Sequence, residues 1–248
     1  MLATTSERSE VAELLALAQT VLLRPDLLAS IRVGLEEPEH TVESLKELVE
    51  ESQATKMVEF TRDVVQVEIR AEGFAELQLI DLPGLIASAQ DEQLVELITT
   101  LNGEYIQRSN TLIAMCCPFD DDLENQKVRA MAKEFDPDGQ RTVGILTKAD
   151  KIPEGLEGER MQLLSEPTED YFLQHGYYAV KNPAQNELQE GMTHEQARKS
   201  EHNFFDGLKW QGVRRRCGTS NLRDFLSEQL SHLILQEPLA AFQHSSQE

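Results

Sequence analysis

Two short, continuously apolar runs constrain the fold of this chain more than any other feature of its sequence. TLIAMCC covers Thr111–Cys117 and RTVGILT covers Arg141–Thr147, and each has the length and composition of a strand buried on both faces. Between them, apolar residues from Val128 to Phe135 recur at the spacing of a helix, and an Asp-Pro-Asp-Gly turn follows. A strand, a helix and a second strand in this order predict a parallel pair within an α/β sheet.

The remaining pattern extends this alternation of strands and helices along the chain. Helices are predicted over residues 10–23, 41–51, 94–105, 156–164 and 220–235. Strands are predicted for SIRVGL at 30–35, for a hairpin of 63–70 with 75–81, and for GYYAVK at 176–181. The predicted fold class is therefore α/β, a mostly parallel sheet flanked by helices on both faces.

The charge balance excludes some classes of partner. The chain has 248 residues with 44 acidic and 23 basic side chains, which is a formal net charge of −21. Such a field repels nucleic acid and anionic lipid heads, so we expect no nucleic acid partner. The run Arg214–Arg216 is the local exception, and so short a run is typical of a solvated face.

The cysteines and the first residues bear on the cellular compartment. Cys116 and Cys117 are adjacent and Cys217 is distant, a spacing typical neither of a disulfide framework nor of a metal site. The start of the chain lacks a basic segment followed by an apolar one, and no apolar stretch reaches the length of a membrane span. We therefore expect a cytoplasmic protein with reduced cysteines.

Three candidate loops follow predicted strands, which is where ligands bind in parallel α/β sheets. The first is Asp81–Gly84. A carboxylate there can hold magnesium through water, and a glycine lets the backbone approach a phosphate because no side chain intervenes. The alternative is an ordinary turn after a strand.

The second loop is Thr147–Asp150 and the third is 180–185. The Asp150 carboxylate can accept two hydrogen bonds from N1 and N2 of guanine, which adenine cannot supply, and the stem of Lys148 can lie along the base. The third loop would contact the other side of the base and the ribose, with Asn182 as its polar contact. The alternatives are a solvated surface turn for the second loop and a loop without function for the third.

The order DxPG, TKxD and a strand-end Asn loop is the ordered signature of GTPases. From about residue 30 to residue 238 the chain resembles the GTPase domain of the dynamin family, the large membrane-remodelling GTPases, and in particular the dynamin-like proteins of fungi. The resemblance rests on FTRDVVQVEIR, LQLIDLPGLI, AKEFDPDGQRTVGILTKAD, GYYAVKNPAQNEL and CGTSNLRDFLSEQL. The phrase DPDGQRTVGILTKAD is close to a family hallmark.

This resemblance implies a P-loop GTPase fold with a dynamin-type G domain, and GTP or GDP with magnesium as cofactors. Lys148 and Asp150 are the implied readers of guanine. Asp81 is the implied magnesium contact, through water, and Gly84 the implied sensor of the terminal phosphate. The implied nucleotide-binding residues are Asp81, Gly84, Thr147, Lys148, Asp150, Asn182 and Gln185.

Part of the family pattern is missing from these residues. No Gly-x-x-x-x-Gly-Lys-Ser/Thr occurs, Thr20 does not match the family's switch threonine, and no helical stalk follows Gln236. We therefore divide the chain into a non-matching segment at 1–29, a partial dynamin-type GTPase domain at 30–238 that is incomplete at its N-terminus, and a tail at 239–248. Without the phosphate loop we expect GTP to bind weakly and to be hydrolysed poorly.

Three interpretations stay open at this point. The chain is a dynamin-like GTPase with impaired nucleotide binding, a non-catalytic module that pairs with intact dynamin-like G domains, or an inactive remnant from a truncated gene model. Membrane remodelling, peripheral attachment to organelle membranes and microtubule association follow from family analogy alone.

Overall fold

The computed structural model describes residues 3–33, 40–52, 57–58, 61–68, 78–85 and 92–244. The chain forms two compact units, Met1–Glu76 and Leu77–Glu248. The first is built from helices and the second contains a sheet with helices around it.

The described residues of the first unit form three α-helices around a small apolar core. They are α1 (Val11–Leu22), α2 (Pro25–Val33) and α3 (Val42–Glu51). The Thr41 hydroxyl accepts a hydrogen bond from the Ser44 N–H at 3.2 Å and so caps the start of α3. The Arg24 guanidinium donates to the Val49 carbonyl at 2.8 Å near the end of α3, where a cation is favourable. The helices predicted at 10–23 and 41–51 are confirmed.

The strand predicted for SIRVGL is wrong for the residues that the structure describes. Ser30–Val33 forms the end of α2, and residues 34–35 lie outside the described ranges. Pro25 stands at the first helical position, where its fixed φ favours a helix. Leu27 and Ile31, four residues apart, are both buried in the same cluster, so packing favours the helical period over the short alternating pattern.

The predicted hairpin is also not formed in its described parts. Residues 63–68 and 78–81 are not in strands, so Asp81 does not follow a strand, and residues 69–77 lie outside the described ranges. Val64 and Val67 are 63% and 49% exposed. Val64 and Val67 therefore lack the burial that would stabilise a strand.

In the part of the chain that the structure describes, the second unit is organised by a parallel sheet of three strands. Its strands are β1 (Ile113–Pro118), β2 (Thr142–Thr147) and β3 (Tyr177–Ala179), in the order β1-β2-β3. Its helices are α4 (Glu92–Ile106), α5 (Lys127–Phe135), α6 (Glu157–Ser165), α7 (Gln185–Gln189), α8 (His194–Phe205) and α9 (Thr219–His244). The predicted parallel α/β arrangement is confirmed.

Helical segments cover both faces of this sheet. On one face Val143, Ile145 and Tyr178 pack against Leu222 and Phe225 of α9. On the other face the larger core includes residues of α5, α6, α8 and the 3-10 segment Leu208–Arg216. The sheet therefore forms the middle of three layers.

β1 departs from the prediction that it is buried on both faces. Ile113, Met115 and Cys117 are buried, but Ala114 and Cys116 between them are exposed. Among the described residues β1 pairs with β2 alone, and α5 packs against it, so one of its faces is less covered. β2, which lies between two strands, is buried along almost its whole length.

The described helices differ, singly and in pairs, in whether they could span a membrane. None of them, taken singly, has both the length and the apolar character to cross a bilayer. The pair Val11–Leu22 and Pro25–Ile31, bent by 107° at its break, meets those criteria by length and composition.

Gly144 on β2 provides a test of the sheet's packing. A Cβ at this position would lie 2.1 Å from the Tyr177 ring, so Gly144→Ala forces the buried ring to move. We expect a loss of about 2–3 kcal/mol of folding free energy, as for other overpacked cores. Urea unfolding measures this loss.

The matched control is Gly158→Ala in α6, where an added Cβ meets nothing within 4 Å. That change should leave stability unaltered or raise it by up to about 1 kcal/mol, because alanine favours a helix. Equal stability of the two variants would contradict the packing of Tyr177 over Gly144.

Candidate functional site

The carboxyl ends of the three strands are joined by backbone hydrogen bonds. The Phe119 N–H donates to the Thr147 carbonyl at 2.7 Å, and the Val180 N–H donates to the Leu146 carbonyl at 2.9 Å. The Ala149 N–H donates to the Val180 carbonyl at 3.2 Å. The loop after β2 therefore lies between those after β1 and β3, as the parallel order requires.

The loop Thr147–Asp150 is anchored at two points. The Thr147 hydroxyl donates to the Cys117 carbonyl at 3.4 Å, and Ala149 is fully buried. With Ala149 turned inward, Lys148 and Asp150 on either side of it are exposed. The anchored loop thus presents two charged side chains at the edge of the sheet.

Lys148 has a strained backbone. Its φ of 56° and ψ of 42° lie in the left-handed region, and among the described residues no other non-glycine has a positive φ. This conformation costs an L-residue roughly 1–2 kcal/mol. Burial of Ala149 and its hydrogen bond hold the loop in this form, and strain at a strand end is a pointer to function.

Asp150 is exposed as a whole residue, but its side chain is only 25% exposed and lies 3.8 Å from the Lys151 ammonium. That separation is longer than a hydrogen bond, so the ion pair leaves the carboxylate oxygens able to accept from a ligand. The two carboxylate oxygens at the carboxyl edge of the sheet can accept hydrogen bonds from two adjacent N–H groups of a ligand.

The loop after β3 carries the third set of candidate residues. Asn182 and Gln185 are exposed, and Gln185 begins α7. The Ala184 N–H donates to the Glu187 carboxylate at 2.7 Å, which orders the turn into α7. The hydrogen bond from Ala149 to the end of β3 brings this loop beside Thr147–Asp150.

One functional candidate was missed by sequence reasoning. The Lys181 N–H donates at 3.0 Å to Oε1 of Glu201, a carboxylate on α8 that is only 4% exposed. A signal was present, since Ala197, Glu201 and Phe205 stand four residues apart and so share one helix face. Phe205 is fully buried, and Glu201 lies on the same buried face.

The Asp81–Gly84 segment lies near β1. Asp81 is exposed, Leu82 packs against the main core, and the Asn102 amide donates to the Pro83 carbonyl at 3.2 Å. Although Cys116 is exposed, neighbouring protein atoms displace part of the water around its thiol, and this desolvation and then the negative charge of Asp81 raise the pKa of the thiol. An added Cβ on Gly84 would meet nothing within 4 Å, so this backbone is open to a ligand.

The described residues do not form a metal site by themselves. No group of three or more His, Cys, Asp or Glu side chains among them could hold a metal ion. Asp81 offers a single carboxylate, whereas magnesium needs six oxygen ligands. Magnesium at this place would depend on water and phosphate oxygens for its other ligands.

A separate cavity of about 160 Å³ lies at the amino ends of the strands, away from these loops, and is lined in part by Asp136, Thr142 and Tyr177. Two pairs of polar groups at this cavity are already hydrogen-bonded. Asp136 accepts from the Thr142 hydroxyl at 2.6 Å, and the Tyr177 hydroxyl donates to the Tyr171 carbonyl at 2.9 Å. Burial raises the pKa of Tyr177 to about 12. Asp136, Thr142 and Tyr177 therefore have little hydrogen-bonding capacity left for a ligand, although the exposed Lys133 also lines the cavity.

Comparison with known proteins identifies two matching families. The sequence model of the dynamin family matches residues 25–149, and that of the dynamin central region matches residues 167–239. The curated relatives that match include interferon-induced GTP-binding proteins.

Mx1 of Mus musculus is 30% identical over 190 residues, which is 74% of this chain and 30% of the relative. Mx2 of Bos taurus is 33% identical over 149 residues, 59% of this chain and 21% of the relative. Mx2 of Homo sapiens is 34% identical over 148 residues, 58% of this chain and 20% of the relative. The chain thus spans 20% to 30% of the length of these relatives.

The left-handed backbone of Lys148 can be tested by stability alone. Glycine adopts this conformation freely and alanine does not, so Lys148→Gly should be about 1 kcal/mol more stable than Lys148→Ala. At Lys199, exposed in the interior of α8, the order should reverse by about 1 kcal/mol, because glycine is unfavourable in a helix. Urea unfolding of the four variants provides the measurement. If alanine were the more stable residue at both positions, the left-handed conformation of Lys148 would be contradicted.

Proposed function

The chain belongs to the dynamin family, and from that membership and the geometry of the strand ends we propose that it binds guanine nucleotides. The base is bound by the loops after β2 and β3. The observation that carries this proposal is the loop Thr147–Asp150, whose strained, anchored backbone presents an acceptor carboxylate at the carboxyl edge of the sheet.

Asp150 supplies the selectivity for guanine. Its two oxygens accept hydrogen bonds from N1–H and N2–H of the base, and adenine has no donor pair on the corresponding edge. A site whose acceptor is left unpaired by the wrong ligand rejects that ligand strongly. Asp150 keeps this capacity because its ion pair with Lys151 is loose.

The neighbouring residues complete the base site. Lys148 is exposed, so its methylene stem can cover one face of the base while the ammonium stays in water. Asn182 and Gln185 are exposed on the adjacent loop and act on the other side of the base and ribose. Thr147 positions the loop through its hydrogen bond to Cys117.

Fewer protein groups are available to bind the phosphates than to bind the base. GTP or GDP is the proposed ligand, and Asp81 and Gly84 are the proposed contacts to magnesium, through water, and to the terminal phosphate. The sequence has no Gly-x-x-x-x-Gly-Lys-Ser/Thr, so the backbone amides and lysine that usually bind the phosphates are not supplied by that motif. We assign no residue to hydrolysis and propose that this polypeptide hydrolyses GTP poorly.

The compartment proposed for the chain is the cytoplasm. Cys116, Cys117 and Cys217 are all free thiols, and thiols persist in reducing compartments. Peripheral attachment to organelle membranes, membrane remodelling and pairing with other dynamin-like G domains are extensions of this proposal by family analogy.

The first test concerns base selectivity. We expect the chain to prefer GTP over ATP by at least about tenfold, since ATP leaves the Asp150 oxygens unpaired. Asp150→Asn should abolish this preference, because an amide donor then faces the N–H groups of guanine. Competition of unlabelled GTP and ATP against a fluorescent GTP analogue measures the preference.

Asp138→Asn is the control for charge. It makes the same change in net charge at an exposed position in the turn before β2, at the opposite end of the strand. This variant should keep the preference of the unmutated chain. Equal competition by GTP and ATP in the unmutated chain would contradict the proposed base site.

The second test concerns the phosphates. Loss of two or three charge-assisted contacts weakens binding by roughly a thousandfold or more. We therefore expect the 248-residue chain to bind a fluorescent GTP analogue in the high micromolar range at best, with little dependence on magnesium. Low-micromolar affinity that disappears on magnesium chelation would mean that another segment binds the phosphates.

A further inference from the structure

Glu201 is not among the residues proposed to contact the nucleotide, but it binds the backbone of the loop that carries two of them, Asn182 and Gln185. It is a carboxylate on α8 that is 4% exposed. Burial of a charged group is strongly unfavourable unless hydrogen bonds replace its water. The contacts that stabilise Glu201 therefore indicate what it does.

The two carboxylate oxygens of Glu201 contact different elements. Oε1 accepts from the Lys181 N–H at 3.0 Å, at the start of the loop after β3. Oε2 accepts from the Thr219 N–H at 3.0 Å and from the Thr219 hydroxyl, at the first residue of α9. The Arg198 guanidinium lies 3.8 Å from Oε2 on the same helix. One side chain thus joins α8, the loop after β3 and the start of α9.

The contact with Lys181 fixes the beginning of a loop whose end is fixed by another carboxylate. The Val180 N–H is paired with the Leu146 carbonyl, so the strand ladder continues up to the residue before Lys181. The Ala184 N–H donates to Glu187 at 2.7 Å at the other end of the loop. Asn182 lies between these two anchors and Gln185 follows directly.

We propose that Glu201 is a positioning residue for recognition of the guanine base. It acts through the Lys181 amide, which holds the loop so that Asn182 and Gln185 stand beside Thr147–Asp150. Its second oxygen ties that arrangement to the start of α9. This inference rests on the proposed guanine site, and its test separates the two.

Glu201→Gln is the informative variant because it preserves shape. Both oxygens of Glu201 accept hydrogen bonds, so an NH₂ group in place of either one sets a donor against a donor. Thr219→Val is the matched control, since it removes the hydroxyl donor to Oε2 and leaves the Lys181 contact intact. Both variants are made in the full chain.

The first experiment uses the nucleotide-free protein. Hydrogen–deuterium exchange is followed in peptides that cover residues 181–185. We expect about tenfold or faster exchange in Glu201→Gln, as a lost charge-assisted hydrogen bond implies, and exchange within about twofold of the unmutated chain in Thr219→Val. Because the glutamine amide can keep its oxygen on the Lys181 N–H, Glu201→Leu, which has no acceptor, is measured beside Glu201→Gln. Unchanged exchange in both Glu201 variants overturns the proposal, whatever the protein binds.

The second experiment measures the ratio of GTP to ATP affinity by competition, at a temperature where all variants are folded. Glu201→Gln should lower this ratio about tenfold, whereas Thr219→Val should keep it. If Glu201→Gln speeds hydrogen–deuterium exchange at residues 181–185 but keeps the ratio of GTP to ATP affinity, the proposed role of Glu201 in base recognition is overturned. An unmutated chain without preference overturns the proposed function, and the exchange experiment then still decides whether Glu201 holds the loop.

Glu201→Asp serves if Glu201→Gln does not fold. It keeps the negative charge but shortens the side chain by one methylene group, so the carboxylate cannot reach both Lys181 and Thr219 with the present geometry. Faster exchange at residues 181–185 with a reduced ratio supports the proposal. Exchange and a ratio equal to those of the unmutated chain overturn it.

Discussion

β2 is hydrogen-bonded on both of its edges, and the positions of the loops proposed to bind the base depend on this pairing. Its parallel register places Thr147 beside Pro118 of β1 and Leu146 beside Ala179 of β3. Because all three strands run the same way, their carboxyl ends meet at one edge of the sheet. The loops that carry Lys148, Asp150 and Asn182 therefore become neighbours, although the chain separates them by a helix and a strand.

Two locally unfavourable features lie near this edge of the sheet, and contacts with surrounding groups offset their cost in folding free energy. Lys148 has a left-handed backbone and Glu201 is a charged group out of water. Each is compatible with folding because neighbouring groups are fixed, namely buried Ala149 for the first and the amides of Lys181 and Thr219 for the second. Such terms cluster where geometry matters for binding.

Sequence reasoning could predict those features whose cause is local. The short apolar runs of β1 and β2 favour a buried strand by their length and composition alone. Lys148 and Asp150 follow the second run directly, so their place at the end of a strand could be predicted as well. The strand predicted at 30–35 failed because Leu27 and Ile31 are buried together only once α2 packs into its unit. Glu201 was missed because its partners lie 20 and 18 residues away in the chain, so only the folded structure brings them together.

The close approach of Gly144 and Tyr177 links two positions on neighbouring strands. The ring of Tyr177 occupies the volume in which a side chain at position 144 would stand, so the two residues share one space. During evolution, a larger side chain at either position would require a smaller one at the other. We therefore expect positions 144 and 177 to covary among relatives, with a small residue at one accompanying a large residue at the other.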